Sequence, residues 1–445
     1  MSFSIFTLRA RLSLLAFLAG LGGAAGLAHA VPVDAPELAA PGPLAVGVMK
    51  VNVDVGRVPA SDGGAPAERQ IKAWLWYPAS GAAGPQRELT REISAHAWRP
   101  LPQSPLSVSA PSMAAPDAAP LPGARLPVVL ISHGLLNWAP LLNYLAEHLA
   151  SRGYVVMGLE HNDEAATNPL AAALLLRPLD DGAALRTLQA LDATPGHVLH
   201  QRLALERVAL VGYSMGGYGA LVSAGARVSK EGMAFGYVPG GVMQRHVEAM
   251  QAEDEQTRAR IAAVVAIAPW GGQSFIGALK PAGLAGIKVP VLAVVGDQDD
   301  ISGYADGVRS LWEQLPATPR WLLTYENARH NIAQHGAPAP LQGSFAAWTN
   351  FDEPVWRRDR LLDINKHFIT AFLDLTLLGK ADRAVYLSPA VPRSNDGAWP
   401  EPQGTPATGS FAAAPQGANT HWTGFQRRWA LGLRLEQKGP ASPKP

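Results

Sequence analysis

Cysteine is absent from this chain of 445 residues. That excludes disulfide bonds, thiol nucleophiles, thiolate metal sites and a lipid-modified cysteine at a processing point. Charge is scarce too. Asp, Glu, Lys and Arg make up 16% of the residues, and 37 Lys+Arg against 36 Asp+Glu leaves a balance near zero. No basic run or stripe breaks that balance, so the sequence carries no electrostatic footprint for nucleic acid or an anionic membrane surface. Metal-ligand spacing is also missing. Glu160-His161-Asn162-Asp163 gathers ligand types, but no H-x-x-x-H pair occurs, and His330 and His335 lie five apart. The expectation is a protein without metal or cofactor. What is abundant is apolar: 48% hydrophobic residues, enough for a sizeable core, with 44 Gly and 38 Pro gathered into a few stretches.

No hydrophobic run is long enough to anchor the chain in a membrane. Arg9 and Arg11 precede an apolar run from Leu12 to Leu27, and Ala28-His29-Ala30 places small residues at the A-x-A positions. The run is Gly/Ala-rich and falls below the ~20 residues of a spanning helix. Residues 1–30 therefore read as a cleaved signal peptide, and the rest as an exported protein, periplasmic or extracellular. Residues 31–43 read as a flexible lead, 44–380 as one α/β domain, and 381–445 as a Pro/Gly-rich C-terminal extension. Within the domain, 100–127 reads as an exposed Pro-rich loop and 227–260 as a lid-like insertion. In the extension, Ala430 to Leu435 has the pattern of a strand that can dock on the body.

Val51, Val53 and Val55 alternate with polar residues, and Ile71 to Tyr77 ends at Pro78, which predicts an antiparallel pair. Buried-strand runs follow at Leu126–Ile131, Tyr154–Leu159, Val208–Val211, Ile261–Ala268, Val289–Val295 and Trp321–Tyr325. Helical patterns lie between them, with one around Ala183–Leu191 and a last one carrying Leu361, Ile364, Phe368, Phe372 and Leu375. Strands alternating with helices predict a mostly parallel sheet covered on both faces, whose functional groups sit beyond the carboxyl ends of the strands.

One stretch organises the chemistry. Val208-Ala209-Leu210-Val211 runs into Gly212-Tyr213-Ser214-Met215-Gly216, a G-x-S-x-G pattern between a buried strand and a helical, small-residue segment. Glycines let the backbone turn sharply there, so the serine hydroxyl stands clear of the sheet. A serine needs a base, and the base an orienting acid, expected in the chain order Ser, Asp/Glu, His. His330 follows the Trp321–Tyr325 strand within a short loop. His335 is its nearest rival, while His367 lies inside the last helix. The loop Gly296-Asp297-Gln298-Asp299-Asp300 supplies the acid. Asp299, three after the glycine, is preferred to Asp297, a turn former, and to Asp300, a solvated neighbour. The backbone N–H groups of Met215 and of Leu135, in the loop Ser132-His133-Gly134-Leu135-Leu136, are placed to hold an oxyanion. His133 reads as a structural tie for that loop. Trp138, Tyr213 and Trp270 fall near strand ends as pocket candidates.

Several of these blocks resemble a known family. Ile131 to Leu135, Leu149-Ala150-Ser151-Arg152-Gly153-Tyr154-Val155-Val156, Glu160 to Asp163, Trp76-Tyr77-Pro78 and Gly212 to Gly217 are similar to the platelet-activating-factor acetylhydrolase branch of the α/β-hydrolases. Bacterial members of that branch are often described as dienelactone-hydrolase-like. The resemblance implies an α/β-hydrolase fold, to which the residue patterns add N-terminal antiparallel strands and an insertion after the nucleophile helix. It also implies carboxylic-ester hydrolysis without a cofactor, with Ser214 as nucleophile, Asp299 as acid, His330 as base, and Leu135 and Met215 as oxyanion amides. The family commonly has His-Ser-Phe around its nucleophile, where this chain has Tyr213-Ser214-Met215, so the pocket wall differs. Dienelactone hydrolases proper use a cysteine, so their activity is not implied. The expected activity is that of an exported serine esterase on a small-molecule or lipid ester. Acyl transfer or perhydrolysis by the same triad, or a binding protein on a hydrolase fold, are the alternatives.

Overall fold

A computed structural model describes residues 32–81, 87–231, 236, 243, 255–316, 318–399 and 419–439. The expected signal peptide and most of the expected lid (227–260) lie outside these residues. Two units divide the chain, Met1–Val33 and Asp34–Pro445; the first is almost wholly outside the described residues, and the fold is that of the second.

The expected first pair forms a long hairpin, β1 (Ala45–Val58) and β2 (Ala67–Ala79), joined antiparallel. Next come β3 (Arg87–Ile93), β4 (Leu106–Ser112), the short β5 (Ala115–Pro116), β6 (Leu126–Ser132) and helix α1 (Asn143–Ser151). After these, β7 (Val155–Glu160), helix α2 (Pro169–Ala193), β8 (Leu203–Tyr213) and helix α3 (Met215–Ser223) lead to the middle of the sheet. The main elements that follow are β9 (Ile261–Ile267), β10 (Val291–Gly296), α4 (Arg309–Gln314), β11 (Arg320–Tyr325), α5 (Phe345–Trp348), α6 (Arg358–Thr376) and β12 (Leu433–Lys438), with short helical turns at Pro281–Leu284 and Ala384–Leu387.

Ten strands form one sheet in the order β12-β11-β10-β9-β8-β6-β7-β2-β1-β5. The six from β11 to β7 are mutually parallel, while β12 and β2 join antiparallel at either side. Both faces are buried, which the side-chain alternation makes direct. In β8, Val208 and Leu210 enter the core beneath α2 and α3, whereas Ala209, Val211 and Tyr213 enter the core shared with α1 and α6. This is the α/β-hydrolase fold. The chain runs from β6 outward to β7 and then returns to the other side of β6 as β8. The loops after β6 and β8 therefore flank the switch point where such sheets bind ligands.

Three expectations change in the structure. The lead is packed: Glu37–Ala39 form a turn of 3-10 helix with Leu38 and Ala39 buried, and the Leu38 N–H donates to His367 Nδ1 at 3.1 Å. The stretch 100–127 carries β4 and β5, and β4 buries Leu106, Val108 and Ala110 on one face of a two-stranded sheet with β3. Pro111 is tolerated there because a two-stranded ribbon consists of edges. The helix expected around Ala183 begins at Pro169 and runs through Pro178. Pro178 cannot donate to the Leu174 carbonyl four residues back; the Tyr218 hydroxyl donates to that carbonyl instead, at 3.0 Å. The docking strand expected at Ala430–Leu435 does form, displaced a few residues along the chain as β12. β12 pairs with β11, burying Leu433 and Leu435, and Trp422 and Phe425 are buried against Phe368 of α6.

Candidate active site

Ser214 is the residue between β8 and α3, and its backbone is in the left-handed half of conformational space, at φ 54° and ψ −115°. That strain is held from three directions. The Ser214 N–H donates to Ile267 O (2.8 Å), and its carbonyl accepts from Tyr218 N–H (3.1 Å) and Trp270 N–H (3.1 Å). The glycines have a steric reason. A Cβ on Gly212 would collide with the Gly216 carbonyl, and one on Gly216 with the Ser132 carbonyl of the neighbouring strand end. The turn closes only with both.

His330 lies in the loop after β11, and its Nε2 is 2.9 Å from Ser214 Oγ. Its Nδ1 lies 2.9 Å and 3.0 Å from the two carboxylate oxygens of Asp299. An ionised carboxylate only accepts, so Nδ1 carries the proton and Nε2 accepts from the serine hydroxyl. All three residues are buried. Burial by itself would raise the Asp299 carboxyl, but His330 and the N–H groups of Ile301 (2.9 Å) and Ser302 (2.8 Å) outweigh it and hold the group below the ordinary carboxylate range. The acid and base loops are locked together. The Gln298 N–H donates to Ala328 O (2.9 Å), and a Cβ on Gly296 would strike that same carbonyl.

The other acids and histidines go elsewhere. Asp297 caps a turn by accepting from Asn327 N–H (2.7 Å), and Asp300 pairs with the exposed Arg329 (2.6 Å). His335 is hydrogen-bonded to Asn143 Oδ1 (2.7 Å), and burial pushes it down to about 4. His367 is enclosed in α6, and burial pushes it down to about 3. His133 ties its loop as expected, bonded through Nδ1 to Gly134 O (2.7 Å) and accepting at Nε2 from His161 N–H (3.3 Å). Among the described residues, no group of three or more His, Cys, Asp or Glu side chains is placed to hold a metal ion.

Leu135 and Met215 stand on the two loops that meet at the serine. Met215 is the first residue of α3, so its N–H has no acceptor within the helix. In the other loop, Leu136 N–H is bonded to Asp163 Oδ2 (2.8 Å) and Asn137 N–H to Gly134 O (3.2 Å), while Leu135 N–H has no partner among the described residues.

A cleft of about 730 Å³ opens over Ser214 and His330, with Leu135 and Tyr213 in its wall. Tyr213 lies tilted against the His330 ring and donates to His330 O (3.3 Å). The other two expected pocket aromatics do not line this cleft. Trp138 is fully buried against Phe351, and Trp270 packs edge-on to Tyr218. Their positions near strand ends put them under the loops. The mouth instead has Trp98, Phe345 and Trp348, with Phe345 77% and Trp98 53% exposed. These come from the β3–β4 connection and from α5, whose outward Phe345/Trp348 pair was the available sequence signal.

A family model described as PET hydrolase-like matches residues 120–239. The family is one of α/β-hydrolase esterases, and the match covers about a quarter of the chain. It takes in β6 with its loop, β7, α2, β8, Ser214 and α3, and stops before Asp299 and His330. No curated protein matches the chain.

The buried histidines set a pH response. His367 is neutral when folded, but in the unfolded chain it takes up a proton below its ordinary value near 6.5. Between that value and about 3 the unfolded state binds more protons, so this contribution to stability falls as the solution is acidified. Melting temperatures of wild type and His367→Gln, taken from about pH 7.5 to about pH 5, are expected to show the larger acid loss in wild type. Equal losses would contradict the assignment.

Proposed function

We propose that this chain is an exported serine carboxylic-ester hydrolase that works through an acyl-enzyme. The observation that carries the reading is the unbroken hydrogen-bond chain Asp299–His330–Ser214, ending on a serine held in a strained strand–helix turn. Ser214 Oγ attacks the ester carbonyl carbon while its proton passes to His330 Nε2, and the Asp299 carboxylate keeps the imidazolium oriented and neutralised. The N–H groups of Met215 and Leu135 receive the negative oxygen, each such donor being worth roughly 10²–10³ in rate. Collapse breaks the bond to the alcohol, which leaves with the proton from His330. Water then gives its proton to His330 and attacks the acyl carbon, and the acid departs as Ser214 recovers its hydrogen.

The aromatic mouth supports esters with an apolar or aromatic portion. That class is compatible with short-chain phospholipid esters, small soluble esters and polyesters such as the PET named in the matching family's description. The cleft volume suits such a group, since small-molecule sites typically enclose roughly 300–1,000 Å³.

Ser214→Ala is expected to lower turnover of short-chain p-nitrophenyl esters at least ~10³-fold and to abolish labelling by a fluorophosphonate. Equal turnover in the variant, or labelling that survives the substitution, would sink the proposal. Export rests on residues 1–30. The secreted protein is expected to begin at Val31, and N-terminal sequencing that finds Met1 retained on it would remove that part of the reading.

A further inference from the structure

Beneath the oxyanion loop lies a group of charges that the mechanism above does not use. Arg177, from the middle of α2, and Asp163, just after β7, form an ion pair at 2.6 Å and are both buried. Arg177 Nη1 also donates to His133 O (2.8 Å), and Nη2 lies 3.4 Å from Gly134 O. The Asp163 oxygen that accepts from Arg177 also accepts the Leu136 N–H at 2.8 Å. One ion pair therefore grips the loop on both sides of Leu135. It grips a strained backbone, since Leu136 has φ 59°. The start of the loop is fixed as well. Ser132 Oγ is bonded to His161 Nε2 (2.8 Å), and His161 Nδ1 to Asp180 (2.7 Å), which is itself held by Arg69 (2.7 Å).

A buried ion pair is a poor source of stability. Well-packed apolar residues of similar volume are often as good or better, because two charges have been taken out of water. What an apolar pair could not do is hold two carbonyls and one N–H of a loop in fixed directions. We infer that Arg177 and Asp163 are positioning residues for the reaction, clamping the loop so that the uncommitted Leu135 N–H stays turned toward the cleft. This rests on the esterase reading.

The test separates positioning from folding. Arg177→Met and Asp163→Leu each leave a buried partner charge, so each is expected to melt lower and turn over more slowly. The double variant carries no buried charge at this pair and is expected to regain part of the thermal stability that each single variant loses. Its Ser214-dependent kcat is expected to stay down on the order of 10²-fold, with KM within about threefold of wild type, the pattern of a misplaced transition-state donor. Arg177→Lys keeps the charge without the fork and gives a second reading should the double variant fail to fold, with kcat lowered roughly tenfold at a near-native melting temperature. A folded double variant or Arg177→Lys with wild-type kcat beside an active wild type would overturn the inference alone. An absence of Ser214-dependent turnover in wild type would overturn the esterase reading and the inference with it.

Discussion

The structure depends on one crowded turn. Gly212, Ser214 and Gly216 pass between the Ser132 carbonyl and the first turn of α3 with no room for a Cβ on either glycine. The chain can take that path only with Ser214 at φ 54°. Sparsely populated backbone of this kind costs on the order of 1–3 kcal/mol and persists only where the surroundings over-determine it. Here the surroundings are three backbone hydrogen bonds to Ile267, Tyr218 and Trp270, two of them from the strand end and loop of β9. The central strands must therefore be in register before the serine can be in place. The close approach of Gly216 to Ser132 also fixes the β6 loop, with Leu135 on it, beside the serine.

Electrostatics completes what sterics begins. Asp299 remains an ionised acceptor although buried, because His330 and two backbone donors face it. Tyr213, which lies against the imidazole, is pushed upward by burial and stays a neutral donor. The same rule governs the far side of the serine, where Arg177, Asp163, Asp180 and Arg69 are paired one against another around the loop after β6. Charge around this site is local and partnered.

Much of this was legible in the sequence, and the parts that were not share a cause. Continuous apolar runs separated by helical patterns identify the parallel sheet, because strands buried on both faces have no polar alternation. The order of Ser214, Asp299 and His330 is readable because each follows a strand, and strand ends converge on one edge of such a sheet. What escaped are contacts between segments distant in the chain. Pro178 argues locally against a helix, and only the Tyr218 hydroxyl, 40 residues away in sequence, removes the objection. Trp138 and Trp270 stand at strand ends, yet loops above them fill the space, and the cleft mouth is built from Trp98 and Phe345 instead. Arg177, Asp180 and Asp181 draw no role from their sequence context, yet all three are buried.

The central claim is that Ser214 becomes covalently acylated during turnover. Rapid mixing with p-nitrophenyl acetate, an acid quench and mass analysis of the proteolysed chain tests it most directly. The account predicts one added acetyl group on the peptide containing Ser214, forming within the first turnover, decaying as hydrolysis proceeds, and absent from Ser214→Ala. Turnover that continues with no acetyl group on that peptide, or with the acetyl group on another residue, would contradict it.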